Sequence, residues 1–156
     1  MLNLKHSTDV SLIKVLDIDL PLIVRNYDKV ADEAFLYSTW MKAHKESGWG
    51  RSIPAPIYNI GQRQRIDNIL SRRNTFVLMA ADEATPELIY GYLVGEIPNI
   101  IHYLYVKAAY REAGVARRLL WELGVPQVIE YTHRPNNIAL QGKIQSDARY
   151  NHYIFN

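Results

Sequence analysis

Cysteine is absent from the 156 residues. There is no disulfide framework, no thiolate metal site and no cysteine nucleophile, so a route through an acyl-cysteine intermediate is excluded. Uninterrupted apolar runs fall well short of the ~18 residues that a membrane span needs, and no membrane partner is expected. No repeat of fixed period and no low-complexity tract occurs, which sets aside solenoids and arrays. The five histidines are scattered without ligand spacing, and no metal is expected. Neither sign of charge dominates: 18 Lys and Arg stand against 16 Asp and Glu, net +2. That balance neither requires nor excludes an anionic partner. The opening Met-Leu-Asn-Leu-Lys-His lacks the basic-then-apolar pattern of a secretory leader, so a cytoplasmic setting is expected.

What is present is an ordinary globular composition, 48% apolar and 22% charged, at a size that suits one domain over residues 1–156. Val10–Leu16 and Leu22–Val24 read as extended around Pro21. A helix is expected over Asp28–Lys45, with Val30, Ala34, Tyr37, Met41 and His44 at helical spacing. Asp28 is its cap, and Asp32 and Glu33 suit its first turn. Gly48–Pro56 reads as loop and Tyr58–Ser71 as a second helix, with Ile66, Ile69 and Leu70 on one face and Gln62, Arg63 and Arg65 polar. The period then changes. Thr75–Ala81 and Leu88–Ile97 read as a β-pair joined by Asp82–Glu87, and Pro98-Asn99 precedes a strand at Ile100–Val106. That strand is apolar or aromatic nearly throughout, which predicts a central strand covered on both faces. A helix over Arg117–Leu123, a stop at Gly124 and a strand over Gln127–His133 follow. The order predicts a mixed α/β fold, a central mixed sheet flanked by helices.

The informative stretch joins the Ile100–Val106 strand to the helix after it. Arg111-Glu112-Ala113-Gly114-Val115-Ala116 is a glycine-containing turn that opens a helix. The first N–H groups of a helix lack internal partners and its dipole favours negative charge, so such a turn can hold a phosphate. Gly114 permits φ > 0, Ala116 keeps bulk away, and Arg111, Arg117 and Arg118 make the local field positive. From spacing alone, an ordinary strand–helix connection is an equal reading.

Leu104–Leu120, with Arg111, Gly114 and Ala116 at their spacing, resembles the acetyl-CoA-binding motif of the Gcn5-related N-acetyltransferase (GNAT) superfamily: Arg or Gln, two residues, Gly, one residue, then Gly or Ala. Val106 closes the strand at the family's usual distance before Arg111. The resemblance implies the GNAT-like acyl-CoA N-acyltransferase fold, acetyl-CoA as cosubstrate and transfer to an amine. It implies that the edge at Leu104, Tyr105 and Val106 pairs with the pantetheine arm. The pyrophosphate would sit on the N–H groups of Ala113, Gly114, Val115, Ala116 and Arg117. An asparagine after the next strand, Asn136 or Asn137, would contact the coenzyme.

Many members carry a glutamate where this chain has Ile100. In the arylalkylamine branch a histidine lies four residues before the closing valine, and His102 matches that place. Alternation groups Ile100, His102, Leu104 and Val106 on one face, against Ile101, Tyr103 and Tyr105. An imidazole with an ordinary pKa of about 6.5 could take a proton from an ammonium; a satisfied core histidine is the competing reading. Glu96, at the end of the neighbouring strand, is the rival base or else a solvated strand-end charge. The family's acid, a tyrosine some seven or eight residues after the asparagine, is replaced here by Lys143 and Ile144. Tyr150 and Tyr153 are candidate replacements, but aromatic packing of a last strand is the stronger reading of both.

The leading function is direct acetyl transfer from acetyl-CoA to an amine, small molecule or protein, in a ternary complex. A coenzyme-binding module without transfer activity is the alternative. A nucleic-acid acceptor rests only on Arg63, Arg65, Arg72 and Arg73, for which a solvated helix face is the better default. The amine is expected from the side of the first two helices and their loop, between Phe35 and Tyr58 and including Trp49. Trp40 reads as core. Oligomeric state is open, a homodimer included.

Overall fold

The computed structural model describes residues 20–46, 48–98, 100–123, 130–131 and 149–150. Strand β1 (Leu22–Asn26) leads into α1 (Lys29–Glu46), a 3-10 turn (Gly48–Ser52) and α2 (Ala55–Leu70). Three strands follow, β2 (Thr75–Asp82), β3 (Ile89–Glu96) and β4 (Ile100–Val106). A second 3-10 turn (Ala108–Tyr110) precedes α3 (Val115–Glu122), and short strands β5 (Glu130–Tyr131) and β6 (Arg149–Tyr150) complete one sheet ordered β1-β2-β3-β4-β5-β6. The first three pairings are antiparallel; β4–β5 and β5–β6 are parallel. The expected mixed α/β architecture is present.

Helices cover both faces, and strand alternation assigns side chains to each. On one face Leu36, Trp40, Ile66 and Ile69 from α1 and α2 pack on Val77, Met79, Tyr92 and Val94. On the other, Val115 and Leu119 of α3 pack on Leu78, Ala80 and Leu93. The period-2 swing along β2 is therefore literal. The ladder register shifts at two places, at Ala80/Ala81 in the β2–β3 pair and at Val94/Gly95 in the β3–β4 pair. Between these strands the backbones approach closely: a Cβ on Gly91 would lie 2.3 Å from the Tyr105 carbonyl oxygen.

The chain departs from its simplest patterns at several points. The buried face of α1 is Asp32, Leu36, Tyr37, Trp40 and His44, whereas Val30 is 98% exposed and Ala34 is exposed. The face is rotated from the expected one because Asp32, a charged residue, is drawn inward by Arg25. That pair is bidentate at 2.7 and 2.8 Å, and Asp32 also accepts the Asp28 N–H at 2.8 Å. Asp28 caps α1 through the N–H groups of Val30 and Ala31, at 2.8 and 3.1 Å. Burial works against the Asp32 carboxylate, but Arg25 and the Asp28 amide outweigh it, so its pKa lies below the ordinary value. Helix α2 begins at Ala55 rather than Tyr58, because prolines 54 and 56 sit where the first turn needs no N–H. Gln62 is buried between Tyr58 and Ile66 on the packed face instead of lying with the polar residues. Helix α3 starts at Val115, two residues earlier than expected. Strand β4 lies inside the sheet with both faces packed, but only His102 is buried outright. Of the Gln127–His133 strand, Glu130–Tyr131 is described; Val10–Leu16 lies outside the described residues.

Candidate active site

The β4–α3 connection has the backbone that its sequence suggests. Gly114 caps α3 at φ 86°, and Glu112 two residues earlier has φ 68°. A non-glycine residue held there costs about 1–2 kcal/mol, so the turn stores strain at the helix mouth. The first helical bond runs from the Arg118 N–H to the Gly114 carbonyl at 2.9 Å. The amides of Val115, Ala116 and Arg117 precede it and have no carbonyl within the helix to bond. Arg118 is not purely a phosphate-facing cation, since it binds Glu122 at 2.7 Å and lies over Trp121. Arg117 is exposed. Arg111 donates from Nε to the Val106 carbonyl at 3.3 Å, tying the turn to the end of β4.

The outer edge of β4 follows from register. The Lys107 N–H bonds Tyr90 on β3 at 2.9 Å, and Tyr92 lies opposite Tyr105. In an antiparallel ladder alternate residues point their amides to opposite edges, so Leu104 and Val106 direct theirs away from β3. The β5 pairing covers Ile100 and Ile101. Among the described residues no strand pairs with the edge at Leu104–Val106, and that edge runs straight into the Gly114 turn.

His102 lies on this strand, but not on the face expected for it. Val94 is opposite Tyr103 and Gly95 is opposite Ile101, so the register steps over His102. The bulge returns Ile101 to the α3 face with Leu104 and Val106. Tyr103 and Tyr105 pack with the α1–α2 face. His102 turns the same way, its Nε2 3.0 Å from Oε2 of Glu96, with Arg65 and Arg72 acting on it from α2 and the turn after it. The expected face-sharing of His102 with Leu104 and Val106 is therefore corrected: one extra residue in β4 reverses the alternation.

Glu96 is not a solvated strand-end charge. Its Oε2 accepts His102 Nε2 and, at 3.1 Å, Arg72 Nη1. The imidazole is fully buried while the carboxylate keeps 16% exposure. Burial lowers the His102 pKa, Glu96 opposes that through its hydrogen bond and charge, and the net direction is down. An ionised carboxylate can only accept, so neutral His102 donates from Nε2 and carries its lone pair on Nδ1.

Aromatic rings line the sheet beside this pair. Tyr103 stacks on Trp40 at 4.8 Å, and Tyr92 and Tyr105 face each other at 5.5 Å. Phe35 meets Tyr105 edge-on at 6.0 Å, with the Lys107 ammonium 4.9 Å from the Phe35 ring centre. Farther along α1, His44 Nδ1 lies 3.2 Å from the Tyr58 hydroxyl, which donates to the Met41 carbonyl at 2.6 Å. Burial, reinforced by Arg65, pushes His44 down to about 4. The unfolded chain thus binds a proton below pH ~6.5 that the folded chain refuses until about pH 4. Stability is expected to fall by about 3 kcal/mol across that window, at 1.36 kcal/mol per pKa unit. Urea titrations at pH 7, 5.5 and 4.5 check it: His44→Phe should flatten the dependence, and an unchanged slope would discount His44 as its source.

Of the basic stretch, Arg72 is bound to Glu96 and Arg63 lies 4.8 Å over the Tyr37 ring. Arg73 is exposed. Arg63 and Arg72 are thus engaged within the fold. Trp49 belongs to the Gly48–Ser52 turn, and Tyr150 to β6 opposite Tyr131, two strands from β4. Asn136, Asn137, Lys143, Ile144 and Tyr153 lie outside the described residues. The residue that sequence reasoning misses is Arg72, which reads with its basic neighbours as surface charge.

No family model and no curated relative matches the sequence. Solved structures do match the fold. A candidate acetyl transferase from Pyrococcus furiosus aligns with TM-score 0.63 at 14% identity, over 78% of this chain and 89% of its own. A GCN5-related N-acetyltransferase from Rhodopseudomonas palustris aligns with TM-score 0.54 at 16% identity, over 81% of each chain. With a mixed sheet, a β4 edge that continues into a left-handed glycine and a helix start, this chain has the fold of the Gcn5-related N-acetyltransferases.

Proposed function

We propose that the protein is an acetyl-CoA-dependent N-acetyltransferase that acts on an amine by direct transfer. The observation that carries this reading is one strand, β4, which bears both the buried His102, hydrogen-bonded to Glu96 at the end of β3, and an edge leading into the Gly114 turn. Acetyl-CoA would supply the acetyl group as a thioester, an acyl donor that needs no cysteine on the protein. The amides of Val115, Ala116 and Arg117 offer the pyrophosphate a site of matching charge, and glycine at φ 86° keeps side-chain bulk out of it. The Leu104 and Val106 backbone groups, which point away from β3, would pair with the pantetheine amides. The Val106 N–H is a donor for the charge that develops on the acetyl oxygen. His102 takes the proton from the ammonium through Nδ1, directly or through water, and Glu96 stabilises the imidazolium. The aromatic surface of Phe35, Tyr103 and Tyr105 lies on the α1–α2 side, from which the amine would approach.

Thiol release from acetyl-CoA is the test, assayed against a panel of aromatic, aliphatic and amino-sugar amines and a lysine peptide. Amine-dependent release above hydrolysis is expected for at least one class. Coenzyme binding by calorimetry with no release from any member would instead support a coenzyme-binding module.

A further inference from the structure

Resting on that reading, we propose that Arg72 is a positioning residue for His102: it holds the Glu96 carboxylate against Nε2, and so keeps the imidazole in the tautomer whose Nδ1 can accept a proton. One oxygen joins the three residues. Oε2 of Glu96 takes both bonds, Arg72 Nη1 at 3.1 Å and His102 Nε2 at 3.0 Å. Glu96 is the last residue of β3 and is part-exposed, so nothing in strand geometry alone directs its carboxylate inward. Water would compete for it.

Arg72 is well anchored to do this. Its backbone belongs to the turn joining α2 to β2: its N–H bonds the Ile69 carbonyl at 3.2 Å, and its carbonyl accepts Thr75 at 3.1 Å. The same turn reaches the end of β3, where the Ile97 N–H bonds the Asn74 carbonyl at 3.0 Å. Backbone and side chain therefore join one turn to one strand end within two residues of each other. The charged groups acting on His102 are Glu96 from β3, Arg72 from the turn and Arg65 from α2.

Two roles for Arg72 predict opposite signs. As a bystander cation it disfavours the imidazolium, and its removal would raise the His102 pKa. As a clamp it maintains the Glu96 contact, whose favourable effect on the imidazolium exceeds the direct cost of Arg72. Its removal would then lower the pKa and let the tautomers mix.

The experiment is a nitrogen–carbon correlation NMR titration of His102 in the wild type, Arg72→Gln, Arg72→Lys and Glu96→Gln. The wild type should show the Nε2–H tautomer. In Arg72→Gln the titration midpoint should fall by about half a unit or more, with tautomers mixed. Glu96→Gln should behave alike, and Arg72→Lys should restore most of the wild-type pattern by supplying a cation to the same oxygen. Arg72→Met asks the same question if the glutamine variant does not fold. A midpoint that rises or stays, or an unchanged tautomer, overturns the proposal. Amine-dependent thiol release, measured alongside, should drop about tenfold in kcat with coenzyme affinity unchanged. A wild type without any release would overturn acetyl transfer, while the titration would still decide the role of Arg72.

Discussion

Valine at position 114 is expected to weaken coenzyme binding by about 10–100-fold. Gly114 sits at φ 86° as the cap of α3, and a β-branched residue there costs about 1–3 kcal/mol. At 1.4 kcal/mol per factor of ten, relieving that strain by moving the turn gives the stated loss. The first α3 amides would no longer converge on one point, and the added methyl groups would occupy the approach to them. Isothermal calorimetry with coenzyme A measures the effect. Gly114→Asn separates the two causes, since asparagine tolerates left-handed backbone but adds bulk: a small loss in Asn and a large one in Val would assign the effect to conformation. Unchanged affinity in Gly114→Val, with the fold intact by thermal melting, would remove the helix start as the pyrophosphate site.

This turn is legible because its physics is local. A glycine after a strand and before a helical run specifies left-handed backbone with no help from the rest of the fold. The same holds for Asp28, whose capping role follows from its own reach, and for the strand pair flanking Asp82–Glu87. The α1 face is misread where a distant residue intervenes. Arg25 pulls Asp32 inward and leaves Val30 in solvent, and no periodicity within α1 contains that pairing. Gln62 is a similar case: a polar residue on the packed face of α2 breaks the binary pattern that places such residues outside.

At the candidate site the limit is register. Period-2 reasoning places every second residue on one face only while pairing is unbroken. The bulge opposite Val94 and Gly95 turns His102 from the side of Leu104 and Val106 to that of Glu96 and α2. His102 and Glu96 then stop being rivals and become partners through one hydrogen bond, a relation that linear spacing does not encode. Arg72 is hidden for the opposite reason. Four arginines within eleven residues look like one solvated surface, and only the turn after α2 directs one of them to the end of β3.

His102→Ala is expected to lower kcat by about 10²–10⁴ while leaving coenzyme affinity unchanged. The pH profile makes this more than a loss-of-activity test. Burial holds the His102 pKa below its ordinary value despite Glu96, so the neutral, proton-accepting form prevails at pH 7. The acidic limb of kcat/KM should therefore fall below about pH 6.5, with the rate lost as pH drops through it. The alanine variant should lose that limb along with the rate. Its fold should survive, because Glu96 keeps Arg72 as a partner and is not left as an unpaired buried charge. His102→Gln serves as a volume-matched control that can hydrogen-bond Glu96 but cannot accept a proton near neutrality, and it should be as slow as alanine. Measured with saturating acetyl-CoA and the best amine of the panel, a near-normal rate with the same limb would return His102 to the core. Glu96 would then become the residue to test as base. A large fall in both variants with the limb abolished would place proton transfer at the imidazole.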